Sequence, residues 1–264
     1  MPDSHHYGGI NGCPTDNLTA IPSVLAMRQC CTALYPSSLA AGFALELCLG
    51  SSTAEAGAAA IRMLLNLTPE TEVLIGHDTR GAPLVQLPCE ISVPPQWNLL
   101  ISLTDEDRCA AALALFANAD TPLCGVGIDL AGVNDFKTEA HAERFFAFIL
   151  TEHELAVVHS HPKELRAIIA CALFSAKEAA IKSMAPLVRA CEQSGCDVRL
   201  NARFSELELQ SWPDGGVVSA TGETAQHLRR MGVRELRCSI RLGHDYVFSA
   251  ASCTIDNWKG RPVL

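Results

Sequence analysis

The chain has 264 residues, 48% of them apolar, and carries 20 Lys and Arg against 29 Asp and Glu, a net charge of −9. A chain of this length buries roughly 70–75% of its unfolded surface and needs no staple to fold. The acid excess argues against a protein built to coat nucleic acid, which calls for clustered Lys and Arg.

The charge is uneven. From Met1 to Phe136 four basic residues (Arg28, Arg62, Arg80, Arg108) stand against 14 acids, a net of −10. Lys137 to Leu264 holds 16 against 15, a net of +1. Two units with different partners are expected. Twelve cysteines are scattered, several in apolar runs (Cys48, Cys109, Cys171, Cys253), with no C-x-x-C pair. Zinc or iron–sulfur ligation wants tighter pairs. They read as reduced core thiols of a cytoplasmic protein. The polar first residues, with Gly8 and Gly9, do not read as a signal peptide. Apolar runs such as Ala110 to Ala117 fall short of the roughly 18–20 residues a spanning helix needs, so no membrane span is expected.

In chain order, residues 1–20 read as an extended or partly disordered lead-in. Ile21 to Leu67 is Ala- and Leu-rich and mostly helical in pattern, with breaks or helix starts at Pro36-Ser37-Ser38 and Gly50-Ser51-Ser52-Thr53. Glu72 to Ile75 is a short strand before the turn-rich stretch His77 to Pro83. Leu99 to Leu103 is a second strand, and Cys109 to Phe116 a third or a buried helix. Cys124 to Asp129 is a short buried strand ending on a carboxylate. Helical pattern runs from Thr138 through Leu155 and from Lys163 to about Ala190. Strands return at Val198 to Leu209 and in a pair, Glu235–Leu242 and Tyr246–Cys253, joined by Gly243-His244-Asp245. This order predicts an α+β protein of two similar halves, residues 21–122 and 123–264. A faint echo of the segment from Ile101 in the one from Cys238 agrees with that division.

Two segments carry chemistry. Gly127-Ile128-Asp129 puts a carboxylate on an apolar strand. In Phe174-Ser-Ala-Lys177-Glu178-Ala-Ala-Ile-Lys182, a segment of high helix propensity, Glu178 and Lys182 are i,i+4 neighbours on one face. A strand Asp meeting a helical Glu makes an oxygen-only site suited to Mg²⁺ and a substrate phosphate. The adjacent Lys can neutralise charge on that phosphate. Each segment also has a plain reading: an i,i+4 pair on a solvated face contributes about 0.2–0.5 kcal/mol, and an isolated Asp often closes a turn. His159-Ser160-His161 lacks further ligands at a useful spacing and reads as a loop before Pro162. No G-x-S-x-G is present, and Gly125-Val-Gly127 lacks the third glycine of a dinucleotide fingerprint. Arg229, Arg230, Arg234, Arg237 and Arg241 form a solvated face or a docking surface for an acidic partner.

On these residues the sequence resembles the 4′-phosphopantetheinyl transferases, and within them the surfactin-synthetase-activating type more than the short trimeric one. That family's signature is G-[IV]-D followed by [FW]-x-x-K-E-[AS]-x-x-K. It is met by Gly127-Ile128-Asp129 and by Phe174, Lys177, Glu178, Ala179 and Lys182. Gly81-Ala82-Pro83 looks like the family's G-[KR]-P turn, and Ser102-Leu103-Thr104-Asp105 sits where the family has S-x-S-H. The resemblance covers roughly Leu45 to Cys253. It implies two similar lobes related by a pseudo-twofold, a cleft between them, and a monomer. Coenzyme A is implied as co-substrate, an apo acyl or peptidyl carrier protein as partner, and Mg²⁺ on Asp129 and Glu178. Glu178, Lys182 and Asp129 are then catalytic, and Lys177, Lys182, Arg80, Ser102, Thr104 and Asp105 bind the co-substrate. The carrier serine attacks the β-phosphate with Glu178 as base, and 3′,5′-ADP leaves. The family's second acid, its His and its turn cation are here Ala131, Asp105 and Ala82, and its early basic residues are Ser51, Ser52 and Thr53. These departures weaken the expected hold on coenzyme A and leave two other readings: a degenerate homologue that binds without turnover, and an unrelated α+β binding domain.

Overall fold

A computed structural model describes residues 21–35, 40–137, 139–194 and 202–256. The expected lead-in (1–20) and the break at Pro36-Ser37-Ser38 lie outside the described residues. The elements are α1 (Val24–Leu34), β1 (Ala40–Leu49), α2 (Thr53–Leu65), β2 (Leu74–His77), β3 (Pro83–Gln86), β4 (Trp97–Glu106), β5 (Cys109–Asn118) and β6 (Leu123–Gly132). Then follow α3 (Glu139–Ile149), α4 (Glu152–Ser160), α5 (Lys163–Gln193), β7 (Leu207–Leu209), β8 (Gly215–Ala220), α6 (Gly222–Arg230), β9 (Val233–Leu242) and β10 (Tyr246–Ile255). This is a mixed α/β protein. A three-stranded sheet has the order β1-β5-β4, a five-stranded sheet the order β6-β10-β9-β8-β7, and β2 pairs with β3 alone.

The first correction to the sequence reading is β1. Its Ala and Leu residues favour a helix locally. The segment instead pairs antiparallel with β5 from Ala40↔Ala117 to Leu49↔Cys109. Tertiary pairing overrides propensity here. Strand β5 is apolar from Cys109 to Ala117 because both its faces are covered. Leu113, Leu115 and Ala117 pack with α1, while Ala110, Ala112 and Ala114 pack with α2. Helix α2 begins where expected: Ser52 caps it and Glu55 completes a capping box, a device typically worth ~1 kcal/mol.

Further corrections follow. Asp129 does not end its strand, since β6 runs on to Gly132. Of the strand expected over Val198 to Leu209, residues 198–201 lie outside the described residues, Phe204–Glu206 is a 3-10 turn, and only Leu207–Leu209 is strand. Strand β8 and helix α6 were not foreseen. His159 and Ser160 end α4 and His161 caps it, so this segment is a helix terminus and not a loop.

The two sheets meet along β4 and β6, which run side by side. Ser102 Oγ accepts from Ile128 N–H (3.0 Å) and Thr104 Oγ1 from Leu130 N–H (3.1 Å). Two residues further on, the Glu106 carboxyl accepts from Gly132 N–H. Alternate side chains of β4 thus substitute for a backbone ladder. Helix α1 lies behind this seam, and its Met27, Cys30, Cys31 and Leu34 pack with residues of β5, β6 and β10. The Tyr35 hydroxyl donates to Ala251 O of β10 at 2.5 Å. No described helix is long and apolar enough to cross a membrane. Among the described cysteines all are free thiols, and Cys89 is exposed.

Candidate active site

Helix α5 lies directly on β6, and two glycines permit it. A Cβ at Gly125 would sit 1.9 Å from the Ser183 carbonyl oxygen, and one at Gly127 1.9 Å from that of Ala179. No side chain fits, so the helix backbone rests on the strand and α5 side chains reach past it. Asp129 projects on the α5 side of β6 and meets Lys182 there. Lys182 Nζ donates to Asp129 Oδ1 at 2.7 Å and to Thr104 Oγ1 at 3.3 Å. Thr104 Oγ1 in turn donates to Asp129 Oδ1 at 3.3 Å. The other carboxylate oxygen, Asp129 Oδ2, is buried without a hydrogen-bond partner among the described residues. Glu178 stands one turn before Lys182. Burial raises its carboxyl above the usual range, repulsion from Asp129 adds to this, and Lys182 opposes it.

These groups line a cleft of about 1190 Å³ bounded by the β2–β3 turn, β4, β6 and one face of α5. That face carries Phe174, Glu178, Ile181, Lys182, Ala185, Arg189 and Glu192, the spacing of a single helical stripe. Arg80, Ser102, Thr104 and Asp105 also line it. Ser102 and Thr104 are spent largely on the β4–β6 seam, whereas Asp105 is exposed.

Lys177 is a correction. Its side chain is 0% exposed and is turned away from the cleft. Its ammonium donates to Ile149 O (2.7 Å) and Phe204 O (3.0 Å) and pairs with Glu154 (2.5 Å). Glu154 is itself buried and accepts from Thr151 N–H and Leu209 N–H. Burial pulls the Lys177 ammonium below the usual lysine range, against the attraction of Glu154. This lysine joins α3, α4 and the strand-rich end of the chain to α5. It holds no ligand. The arginines Arg229, Arg230, Arg234, Arg237 and Arg241 do not line the cleft either.

Sequence reading missed Glu106, Asp78, Arg189 and Glu192, all of which line the cleft. The signals existed: Ser102, Thr104 and Glu106 alternate on one strand face, and Arg189 falls seven residues beyond Lys182 on the α5 stripe. Glu106 is pushed up to about 7, first by burial and then by Asp135 and Asp107 beside it. In all, Arg80, Lys182 and Arg189 face Asp78, Asp105, Glu106, Asp129, Glu178 and Glu192, so acids outnumber cations in the cleft two to one. Each cation is already paired, Lys182 with Asp129, Arg189 with Asp78 and Arg80 with Glu192. An anionic ligand needs added positive charge here. Among the described residues no group of three or more His, Cys, Asp or Glu is placed to hold a metal. The pair Asp129 and Glu178, with the orphaned Oδ2, nevertheless fits an ion that keeps most of its shell as water or phosphate.

Residues 125–249 match the model of the 4′-phosphopantetheinyl transferase superfamily. That stretch is just under half of the chain and contains Asp129, Glu178 and Lys182. No curated protein matches the chain. Among solved structures it is similar to a holo-ACP-synthase from Plasmodium yoelii, with 22% identity over 51% of this chain and 97% of that one, TM-score 0.40. A holo-(acyl-carrier-protein) synthase from Bacillus anthracis in complex with CoA (3′,5′-ADP) shares 18% identity over 51% of this chain and 98% of that one, TM-score 0.37. An ACPS–CoA complex from Chronobacterium ammoniagenes shares 21% identity over 50% and 98%, TM-score 0.38.

Proposed function

We propose that the protein transfers 4′-phosphopantetheine from coenzyme A to a serine of an apo acyl or peptidyl carrier protein, releasing 3′,5′-ADP. The observation that carries this is the orphaned, buried Oδ2 of Asp129 beside Glu178 and Lys182, in a cleft sized for a nucleotide. Asp129 and Glu178 would hold Mg²⁺, which supplies positive charge to the phosphates. Lys182 stabilises charge on the transferring phosphoryl group. Glu178, its carboxyl already raised, is placed to take the serine proton. Reaction then rests on positioning and electrostatics, with no covalent enzyme intermediate.

The cleft belongs to two lobes, residues 21–122 and 123–264, related by a pseudo-twofold. Connectivity supports this. The path β1-α2-β4-β5 with sheet order β1-β5-β4 recurs as β6-α5-β9-β10 with order β6-β10-β9. The paired cations and the absence of the family's basic and acidic residues at 82, 105 and 131 favour a second reading, a homologue that binds a carrier without turnover. One experiment decides. The protein is incubated with coenzyme A, Mg²⁺ and a panel of apo carriers, and the carriers are weighed. A phosphopantetheine adduct that disappears in Glu178→Gln supports the transferase, with turnover expected to fall by at least about 100-fold. Carrier binding with no adduct on any carrier supports the second reading.

A further inference from the structure

Helix α5 and strand β6 keep a common register along their contact. Four residues of helix advance about 6 Å and two of strand about 6.7 Å, so every second residue of β6 meets one turn of α5. Cys171 Sγ donates to Ala131 O at 3.6 Å. Gly127 abuts the Ala179 carbonyl and Gly125 that of Ser183. Midway between the contacts at Ala131 and Gly127, Ser175 of the helix falls opposite Asp129 of the strand. A third side chain comes from β10, where Ser249 is the direct antiparallel partner of Asp129. Paired residues share a face, with Cβ atoms roughly 4.5–5.5 Å apart, so Ser249 also points toward α5. Three elements thus bring Asp129, Ser175 and Ser249 together in the layer between helix and sheet.

Each of the three carries a buried oxygen with no hydrogen-bond partner among the described residues: Asp129 Oδ2, Ser175 Oγ and Ser249 Oγ. Both serines are 0% exposed. Asp129 Oδ1, by contrast, is fully engaged by Lys182 and Thr104. Gly127 and Ala131 beside Asp129, and Ala251 beside Ser249, add little bulk at this level. We propose that the three oxygens form one internal water site, and that Ser175 and Ser249 act through this water as positioning residues for Asp129. A buried water typically makes about three hydrogen bonds to otherwise unsatisfied polar groups, which matches the three oxygens present. It donates to Oδ2 and exchanges one hydrogen bond with each serine, so the carboxylate is held at both of its oxygens. The second lone pair of Oδ2 remains for the ion of the proposed function. Groups that hydrogen-bond a ligating carboxylate orient it, and losing one typically costs 10–100-fold in metal affinity. The water site stands without that ion, and only its consequence for metal binding rests on the transferase reading.

Urea unfolding of the full chain separates a water-bound serine from an unpartnered one by sign. Replacing an unpartnered buried hydroxyl with a methyl group removes a desolvation cost and leaves the protein as stable or more so. Replacing one that holds the water gives up hydrogen bonds. Ser249→Ala and Ser175→Ala should each raise the unfolding constant about fivefold or more, the second despite the better helix propensity of Ala. Because the water leaves with the first hydroxyl, the double variant should lose less than the product of the two. A single variant as stable as the wild type, or two losses that simply multiply, overturns the site. A wild-type crystal structure should place a water within hydrogen-bond distance of all three oxygens, and direct serine–Asp129 bonds in its place overturn it too. In the Ser249→Ala crystal structure Asp129 should be turned away from Lys182, and an unmoved pair overturns the positioning role. With coenzyme A present, Mn²⁺ affinity read by water-proton relaxation should fall about tenfold or more in Ser249→Ala, and an unchanged affinity also overturns that role. If the wild type binds no Mn²⁺, the ion of the proposed function fails by itself. The unfolding constants and the Asp129 conformation then still support or overturn the water site.

Discussion

Two lysines five positions apart in one motif have opposite fates, and helix phase is the reason. Lys182 shares the cleft stripe with Glu178, whereas Lys177 falls on the stripe of Leu173, Ala176, Ala180 and Met184, all buried. Spacing put Lys182 beside the ligand, and the family resemblance alone added Lys177. The phase of the apolar residues was legible in the sequence and assigns Lys177 to the core. Its partner Glu154 was not legible, because it lies 23 residues away on another helix. Lys177→Met leaves that carboxylate buried and uncompensated, which should cost about 3–5 kcal/mol in urea unfolding. Adding Glu154→Gln removes the charge while keeping an acceptor for Thr151 N–H and Leu209 N–H, and should recover part of the loss. Below its unfolding transition Lys177→Met should retain the wild-type KM for coenzyme A. A raised KM would return Lys177 to the ligand.

Among the elements, the contact of β6 with α5 matters most for the site. The motif glycine is there because backbone meets backbone, and this was legible only as a residue type, not as a distance. Gly127→Ala sets a Cβ against the Ala179 carbonyl oxygen with no flexible side chain to yield. A loss of at least about 1–3 kcal/mol is expected from such overpacking. Turnover should fall further than stability, because moving α5 separates Lys182 from Asp129. Wild-type unfolding and turnover together would show that the helix does not lie this close. Elements with mixed signals fared differently in the sequence. The hairpin β9–β10 and the long α5 were legible from their period and turn residues, while β1 was hidden by helix-favouring Ala and Leu that only β5 could overrule.

Across the whole molecule, the two sheets are joined by side chains at β4 and β6, and the last of these bonds is ionisable. Ser102 and Thr104 hold their N–H groups at any pH, but Glu106 does so beside Asp135 and Asp107. Burial and that repulsion move its carboxyl from 4.5 to about 7 in the folded protein. Below pH 4.5 both states hold the proton and pH has no effect through this group. Between 4.5 and 7 the unfolded chain ionises first while the folded one keeps its proton, so stability falls as pH rises. Above 7 both are ionised and the loss is complete. Glu106→Gln mimics the protonated form: its amide oxygen can still accept from Gly132 N–H and its amino group can donate to Asp135. The variant should therefore match the wild type in thermal unfolding near pH 4.5 and exceed it progressively up to pH 7, with a constant gap above. A gap independent of pH would mean that Glu106 is ionised throughout, and that the seam closes without its proton.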